Sequence, residues 1–204
     1  MKKSIAGKVL IALGGLLVLA ALSLVAWNMY RSYSADKAAK GALSKLLAVM
    51  PTTIDAGSED AKVLDENTDD GYVPSIEVDG KLYIGVVYIP STNTELPVLN
   101  ELTNDNLNIA PCRYYGNVKR NNLIIAAHNY ATFFDHLEEL TIGDEVIFVT
   151  ADGVRYTYEV TELDLIGGAN GEKMRSGFDS WDLTLFTCTW SGRSRVTVRA
   201  VLKK

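Results

Sequence analysis

Residues 184–202 read TLFTCTWSGRSRVTVRAVL. Two runs rich in β-branched and apolar residues, Leu183–Thr187 and Arg195–Leu202, flank a short Trp-Ser-Gly loop, which is the pattern of strand, tight connection, strand. Cys188 closes the first run and Arg195 opens the second, seven positions later. A second stretch, NNLIIAAHNY (121–130), ends its apolar run Leu123–Ala127 on His128, so that residue too falls at the rim of a strand. A thiol, an imidazole and a guanidinium at strand ends supply a nucleophile, a base and an anion-stabilising cation, the parts of a cysteine acyl-transfer site. The hydroxyl of Thr187, next to the thiol, is a candidate to assist a developing oxyanion.

Working outward, the punctuation from Tyr83 onward is that of an all-β domain. Further strand-like runs are Leu82–Ile89, Glu145–Val149 and Arg155–Asp164. Asp152-Gly153 between the last two is a hairpin signal, and Tyr156, Tyr158 and Val160 alternate as a half-buried strand does. Phe133, Phe134, Leu137 and Leu140 are spaced for one short helix with Asp135, His136, Glu138 and Glu139 on its polar face. Short strands at regular spacing with few helices predict a mostly β protein closed into a barrel.

Each candidate has a rival explanation in the same residues. A free Cys is more often a small buried hydrophobe than a nucleophile. The chain has two histidines, and His136, on the polar helix face, is the solvated one. Arg193 and Arg199 compete with Arg195. Two cysteines in an extracellular domain also allow a Cys112–Cys188 disulfide, which would consume the nucleophile. Zinc fails on spacing, because no C-x-x-C or H-x-x-x-H pair exists.

The first thirty residues decide the location. Val9 to Tyr30 carries no charge, and 22 helical residues extend about 33 Å, enough to cross a bilayer's hydrocarbon region. Lys2, Lys3 and Lys8 precede it, so residues 1–8 are expected in the cytosol, 9–30 in the membrane and the remainder outside. Ala21-Leu22-Ser23 also reads as a signal-peptide cleavage site, but the apolar run is longer than the usual core of a signal, and Trp27 and Tyr30 sit where an interfacial aromatic belt belongs.

Residues 31–50 follow as a stalk or docking helix, with Ala39, Leu43, Leu46, Leu47 and Met50 near one face. Residues 51–80 form an acidic linker, most acidic over 55–71, and 81–204 form the catalytic domain. That acidic run lacks the spacing of a calcium loop, so calcium is a possible ligand without a motif. A net charge of −5 argues against nucleic acid as a partner.

Four segments, in order, resemble the sortases, the bacterial surface transpeptidases. LYIGVVYIPSTNTELPVL (82–99) looks like the family's opening strand with its Ile-Pro step. LNIAPCRYYG (107–116) looks like the stretch that ends in Tyr and Gly ahead of the catalytic His. IIAAHNYATFFDHLEELTIGDEVIF (124–148) places His128 at that His, and TLFTC (184–188) matches the T-L-x-T-C signature, with Arg195 leading the last strand.

The resemblance implies a closed eight-stranded barrel and the catalytic set Cys188, His128 and Arg195, supported by Thr187 and Asn129. It also implies an LPXTG-like sorting signal on surface proteins as substrate, a peptidoglycan precursor amine as acceptor and no cofactor, and it favours a free thiol at Cys188. Cys112 and Arg113 stand where many relatives carry Gly and His. The lack of a lid motif in 51–81 and of a second span argues against the pilus-polymerising class and leaves a housekeeping, class B-like or class D-like enzyme. A membrane-anchored cysteine hydrolase and a non-catalytic barrel that binds a partner are the alternatives.

Overall fold

Alternation of apolar and polar side chains closes the domain into a barrel, because each long strand has one face that must leave water. In the computed structural model, which describes residues 5–61 and 71–203, eight strands make the circuit. They are β3 (Lys81–Ile89), β4 (Thr94–Leu99), β5 (Cys112–Tyr115), β6 (Leu123–Ala127), β7 (Glu145–Thr150), β8 (Val154–Gly167), β9 (Leu183–Cys188) and β10 (Ser194–Leu202). Pairing runs β8-β10-β9-β6-β5-β4-β3, and β7 joins β3 back to β8, so the eight-stranded barrel is closed.

Inside it lie Leu123, Ile125 and Ala127 of β6, Leu183 and Leu185 of β9, and Val196, Val198 and Ala200 of β10. Phe133, Phe134, Leu137 and Leu140 enter the same core. Between them a single 3-10 helix, Asp135–Glu139, carries Leu137 inward, with His136 turned outward to Glu139 at 2.7 Å.

The runs read from the sequence all appear as strands, with β6 at its expected bounds and β8 continuing to Gly167. Two barrel strands were not anticipated. In β4 the obstacle is Pro97, which normally argues against a strand. That strand is laddered along its length to β3 but meets β5 only at Leu99, so most of its other edge places no demand on an N–H. β5 is only four residues long, too short for a period to show. Gly85, at a φ of 149°, sits at the bulge in β3, where a Cβ would run into the Val149 carbonyl of β7.

The expected acidic linker holds order of its own. Within it β1 (Ile54–Asp55) pairs parallel with β8, and β2 (Ile76–Val78) pairs with β3. Residues 62–70, the middle of that span, lie outside the described residues.

A single helix, α1, runs from Ile5 to Val49. Its part up to Ser34 forms one unit and the rest belongs with the barrel. From Val9 to Tyr30 the first unit carries no charge and every side chain is exposed, and α1 is long and apolar enough to cross a membrane. From Ala35 the pattern changes: Ala35, Ala39, Ala42 and Leu46, at helical spacing, are buried. Ala42 and Leu46 share a core with Val86, Leu99 and Cys112. Small side chains let the helix backbone approach closely.

Candidate active site

Because side chains alternate across a strand, register decides what faces what. On β9, Leu183 and Leu185 point into the barrel, and Phe186 and Cys188 take opposite faces from their immediate neighbours. Cys188 is the register partner of Arg195, and Arg195 in turn is the partner of Ile166 on β8. On the other side, the last pair of the parallel β6–β9 ladder is Ala127 with Thr187, so His128 and Cys188 each take the next step beyond it. His128, Cys188, Arg195 and Ile166 therefore form one row across four adjacent strands, on the outer face of the barrel.

That row opens onto a cavity of about 270 Å³ touched by His128, Cys188 and Arg195 together. Its remaining wall is largely apolar: Leu102, Leu107, Tyr114, Ile166, Met174 and Phe186. Leu107 comes from a short helix, α2 (Asn104–Leu107), and Met174 from another, α3 (Gly171–Met174). The loop 166–182 supplies one bank of the groove, held by Trp181, whose indole N–H donates to the Ser176 carbonyl at 3.1 Å. Ile166 and Met174 belong to the 166–182 segment, whereas Leu102, Leu107, Tyr114 and Phe186 reach the same wall from elsewhere in the chain, so no local pattern marks them as neighbours.

The guanidinium of Arg195 is tethered through Nη1 to the carbonyls of Gly192 and Ser194, at 3.1 and 3.2 Å. Among the described residues its Nε and Nη2 have no hydrogen-bond acceptor. Gly168 lies against it, with space for a Cβ only 3.3 Å from Nη1. Its two rivals fall elsewhere. Arg193 is exposed in the loop. Arg199 is buried, donates to the Lys173 carbonyl at 2.9 Å and lies 5.2 Å over the Trp181 ring, a structural post beneath α3.

His128 is half-buried, its ring 4.9 Å from that of Tyr130, which packs on the core. Asn129 is half-buried and is not among the residues lining the cavity.

Thr187 does not face the cavity as expected. Being one residue from Cys188 on a strand, it points to the other face, is 2% exposed, and its hydroxyl donates to the Ala127 carbonyl at 2.9 Å. The bond ties the end of β9 to the end of β6, so the Thr187 hydroxyl is committed to the strand beside His128 rather than turned to the cavity.

The Cys112–Cys188 disulfide does not form: both thiols are free. Cys112 lies wholly in the core beside α1, its Sγ 3.4 Å from the Ala110 carbonyl, and burial pushes its pKa up to about 12. Cys188 is half-buried and reaches the cavity. Among the described residues no group of three or more His, Cys, Asp or Glu side chains is placed to hold a metal ion.

A barrel whose strand ends bring Cys, His and Arg onto one groove holds the parts that cysteine acyl transfer needs. A sortase-domain family model matches residues 87–203, more than half of the chain, and the chain belongs to the sortase family of cysteine transpeptidases. It is 27% identical over 135 residues to Sortase A of Streptococcus agalactiae serotype III (strain NEM316), a match covering 59% of this chain and 53% of that protein. The chain thus spans about half the length of that curated relative.

Among solved structures it is similar in fold to the Clostridium perfringens Sortase D5 transpeptidase (TM-score 0.56, 20% identity, 84% of this chain and 99% of that one). It is likewise similar to Sortase A from Corynebacterium diphtheriae (TM-score 0.55, 19% identity, 92% and 95%). At such identity these likenesses speak to the fold.

Proposed function

We propose that this protein is a membrane-anchored cysteine transpeptidase that cleaves an LPXTG-like sorting signal and joins its acyl part to an amine of the cell wall. The observation that carries this reading is the convergence of Cys188, His128 and Arg195 on one groove. In the reaction, the Cys188 thiolate attacks the carbonyl of the scissile peptide bond. Negative charge develops on the carbonyl oxygen, and the uncommitted edge of Arg195 donates hydrogen bonds to it or to the adjacent substrate backbone. Collapse of that intermediate breaks the C–N bond as His128, protonated, gives its proton to the leaving amine, and a thioester remains.

An incoming amine then loses its proton to His128, attacks the thioester carbonyl and expels the Cys188 thiolate. The apolar groove wall suits the Leu and Pro side chains of such a signal. No cofactor takes part in this cycle.

Residues 9–30 serve as the anchor, with Lys2, Lys3 and Lys8 holding the N-terminus in the cytosol and the barrel outside. An anchored enzyme meets membrane-bound partners at raised effective concentration.

The test uses the full chain in detergent micelles, a mixed set of LPXTG-like peptides, and triglycine as acceptor. Intact mass spectrometry is expected to find an acyl adduct on Cys188 that is absent in Cys188→Ala and is converted to amine-ligated product when triglycine is present. Release to water alone, even with the acceptor in excess, would assign a hydrolase. A Cys188 inert to every peptide would remove the catalytic reading in favour of a binding barrel.

A further inference from the structure

Beside the catalytic groove lies a second, more polar cleft of about 560 Å³ that shares Tyr114 and Leu102 with it as a common wall. Among the described residues that line it are three guanidiniums, those of Arg113, Arg120 and Arg175, and one carboxylate, Glu101. Two of the three are held in place by groups that leave their charge unneutralised. Arg113 donates from Nε to the backbone and side-chain oxygens of Asn100, at 3.2 and 3.0 Å, and from Nη1 to the Gly116 carbonyl at 3.2 Å, all neutral acceptors. Arg175 lies over the faces of Tyr114 and Tyr115, its Cζ 4.9 and 5.1 Å from their ring centres. Among the described residues neither guanidinium has a carboxylate partner.

A planar fork fixed by neutral contacts, with an edge left over, is how proteins prepare to hold a carboxylate. The distance to the reacting centre sets where that carboxylate must be. Phe186 stands two residues from Cys188 along β9, about 7 Å, and its ring meets Tyr114 edge-on at 5.3 Å. Those two steps place the edge of the cleft no more than roughly 12 Å from Cys188, within the reach of about four residues of extended peptide.

We infer that the Arg113–Arg175 cleft is an anion subsite that takes the carboxylate of an acidic residue on the peptide substrate, within about five residues of the bond cleaved at Cys188. The inference rests on the transpeptidase reading, which puts an extended peptide in the adjoining groove. It makes the signal read by this protein longer than the segment the apolar groove alone can grip, with charge as its extension.

The experiment measures binding of fluorescein-labelled LPXTG-like peptides to full-length Cys188→Ala protein in detergent micelles by anisotropy. Three peptides are compared: one with a Glu pair on the N-terminal side of the signal, one with the pair on the C-terminal side, and one with Gln in both places. One acidic peptide is expected to bind roughly tenfold more tightly than the Gln peptide, and which one does so gives the direction of the bound chain. The advantage should fall to near onefold in Arg175→Gln, an exposed position whose loss leaves the core untouched, and likewise in Arg113→Gln.

Equal affinities, an advantage that survives both substitutions, or no binding by any peptide would each overturn the subsite. Acylation of wild-type Cys188 by the same peptides separates the two readings. Acylation without an acidic preference keeps the transpeptidase and removes the subsite. Acidic preference without acylation keeps the subsite and removes the transpeptidase.

Discussion

Cys188 and Arg195 are directly opposed across the β9–β10 ladder, the last pair before the strands part into the Trp190 loop. Opposed residues project from the same face of a sheet, so the thiol and the guanidinium share a groove by virtue of backbone pairing alone. The fork of Arg195 is further fixed by the Gly192 and Ser194 carbonyls. Replacement by Lys keeps the charge but loses both the tether and the second donor edge. Arg195→Lys is therefore expected to lower kcat/KM for peptide acylation by about a hundredfold, while Arg193→Gln, in the exposed loop, leaves it within about twofold. Stopped-time assays of thioester formation check both.

Thr187 gives a contrasting prediction. Its hydroxyl bridges β9 to β6 from within the sheet, so Thr187→Val removes a buried donor and leaves the Ala127 carbonyl short of a partner. The expected result is a loss of about 1–3 kcal/mol in urea unfolding with at most a modest fall in acylation rate. A collapse of the rate at unchanged stability would instead return Thr187 to the oxyanion.

The two thiols should differ sharply in reactivity. Iodoacetamide at pH 8 is expected to label the native protein once, at Cys188, and the unfolded protein twice, because Cys112 is enclosed and its ionisation opposed by burial. The same burial makes stability depend on pH. Cys112 has an ordinary value of 9.0 and is raised to about 12 in the fold, so the folded state holds its proton where the unfolded state has released it. Its contribution is complete below about pH 9 and is lost as pH climbs toward 12. Unfolding scans of wild type and Cys112→Ala across that window should converge as pH rises.

Where the chain is cut should also matter. Removing residues 1–34 takes away only the first unit, whereas removal of 1–50 strips Ala35, Ala39, Ala42 and Leu46 from the core. The shorter deletion is expected to leave the barrel's unfolding transition cooperative. The longer one should cost several kcal/mol, in line with Leu46→Ala alone at about 2–5 kcal/mol. Thermal unfolding followed by circular dichroism distinguishes them.

What was legible in the chain tracks local signal strength. β6, β9 and β10 announce themselves because runs such as LIIAA and RVTVRAVL are apolar and β-branched, with turn residues at their ends. β4 and β5 were missed because a proline and a four-residue length hide strands whose pairing is supplied by distant partners. Helix 36–50 was readable from its spacing, but not that it continues α1 without a break or that its alanines seat against Val86 and Leu99.

The sequence by itself determined which atoms are available for chemistry: a single exposed-strand-end thiol, one imidazole at a strand rim, and an arginine at the start of the closing strand. It also determined the apolar span and the charge that precedes it, since both are matters of composition over a short window. Only the tertiary structure decided which of these groups meet. Register across β6, β9 and β10 places Cys188, His128 and Arg195 on one outer face and turns Thr187 inward, because neighbouring residues on a strand face opposite ways and a one-residue shift would exchange them. Closure of the barrel likewise consigns Cys112 to the core and sets Arg113 and Arg175 on a common cleft, outcomes of long-range pairing that no local stretch of sequence encodes.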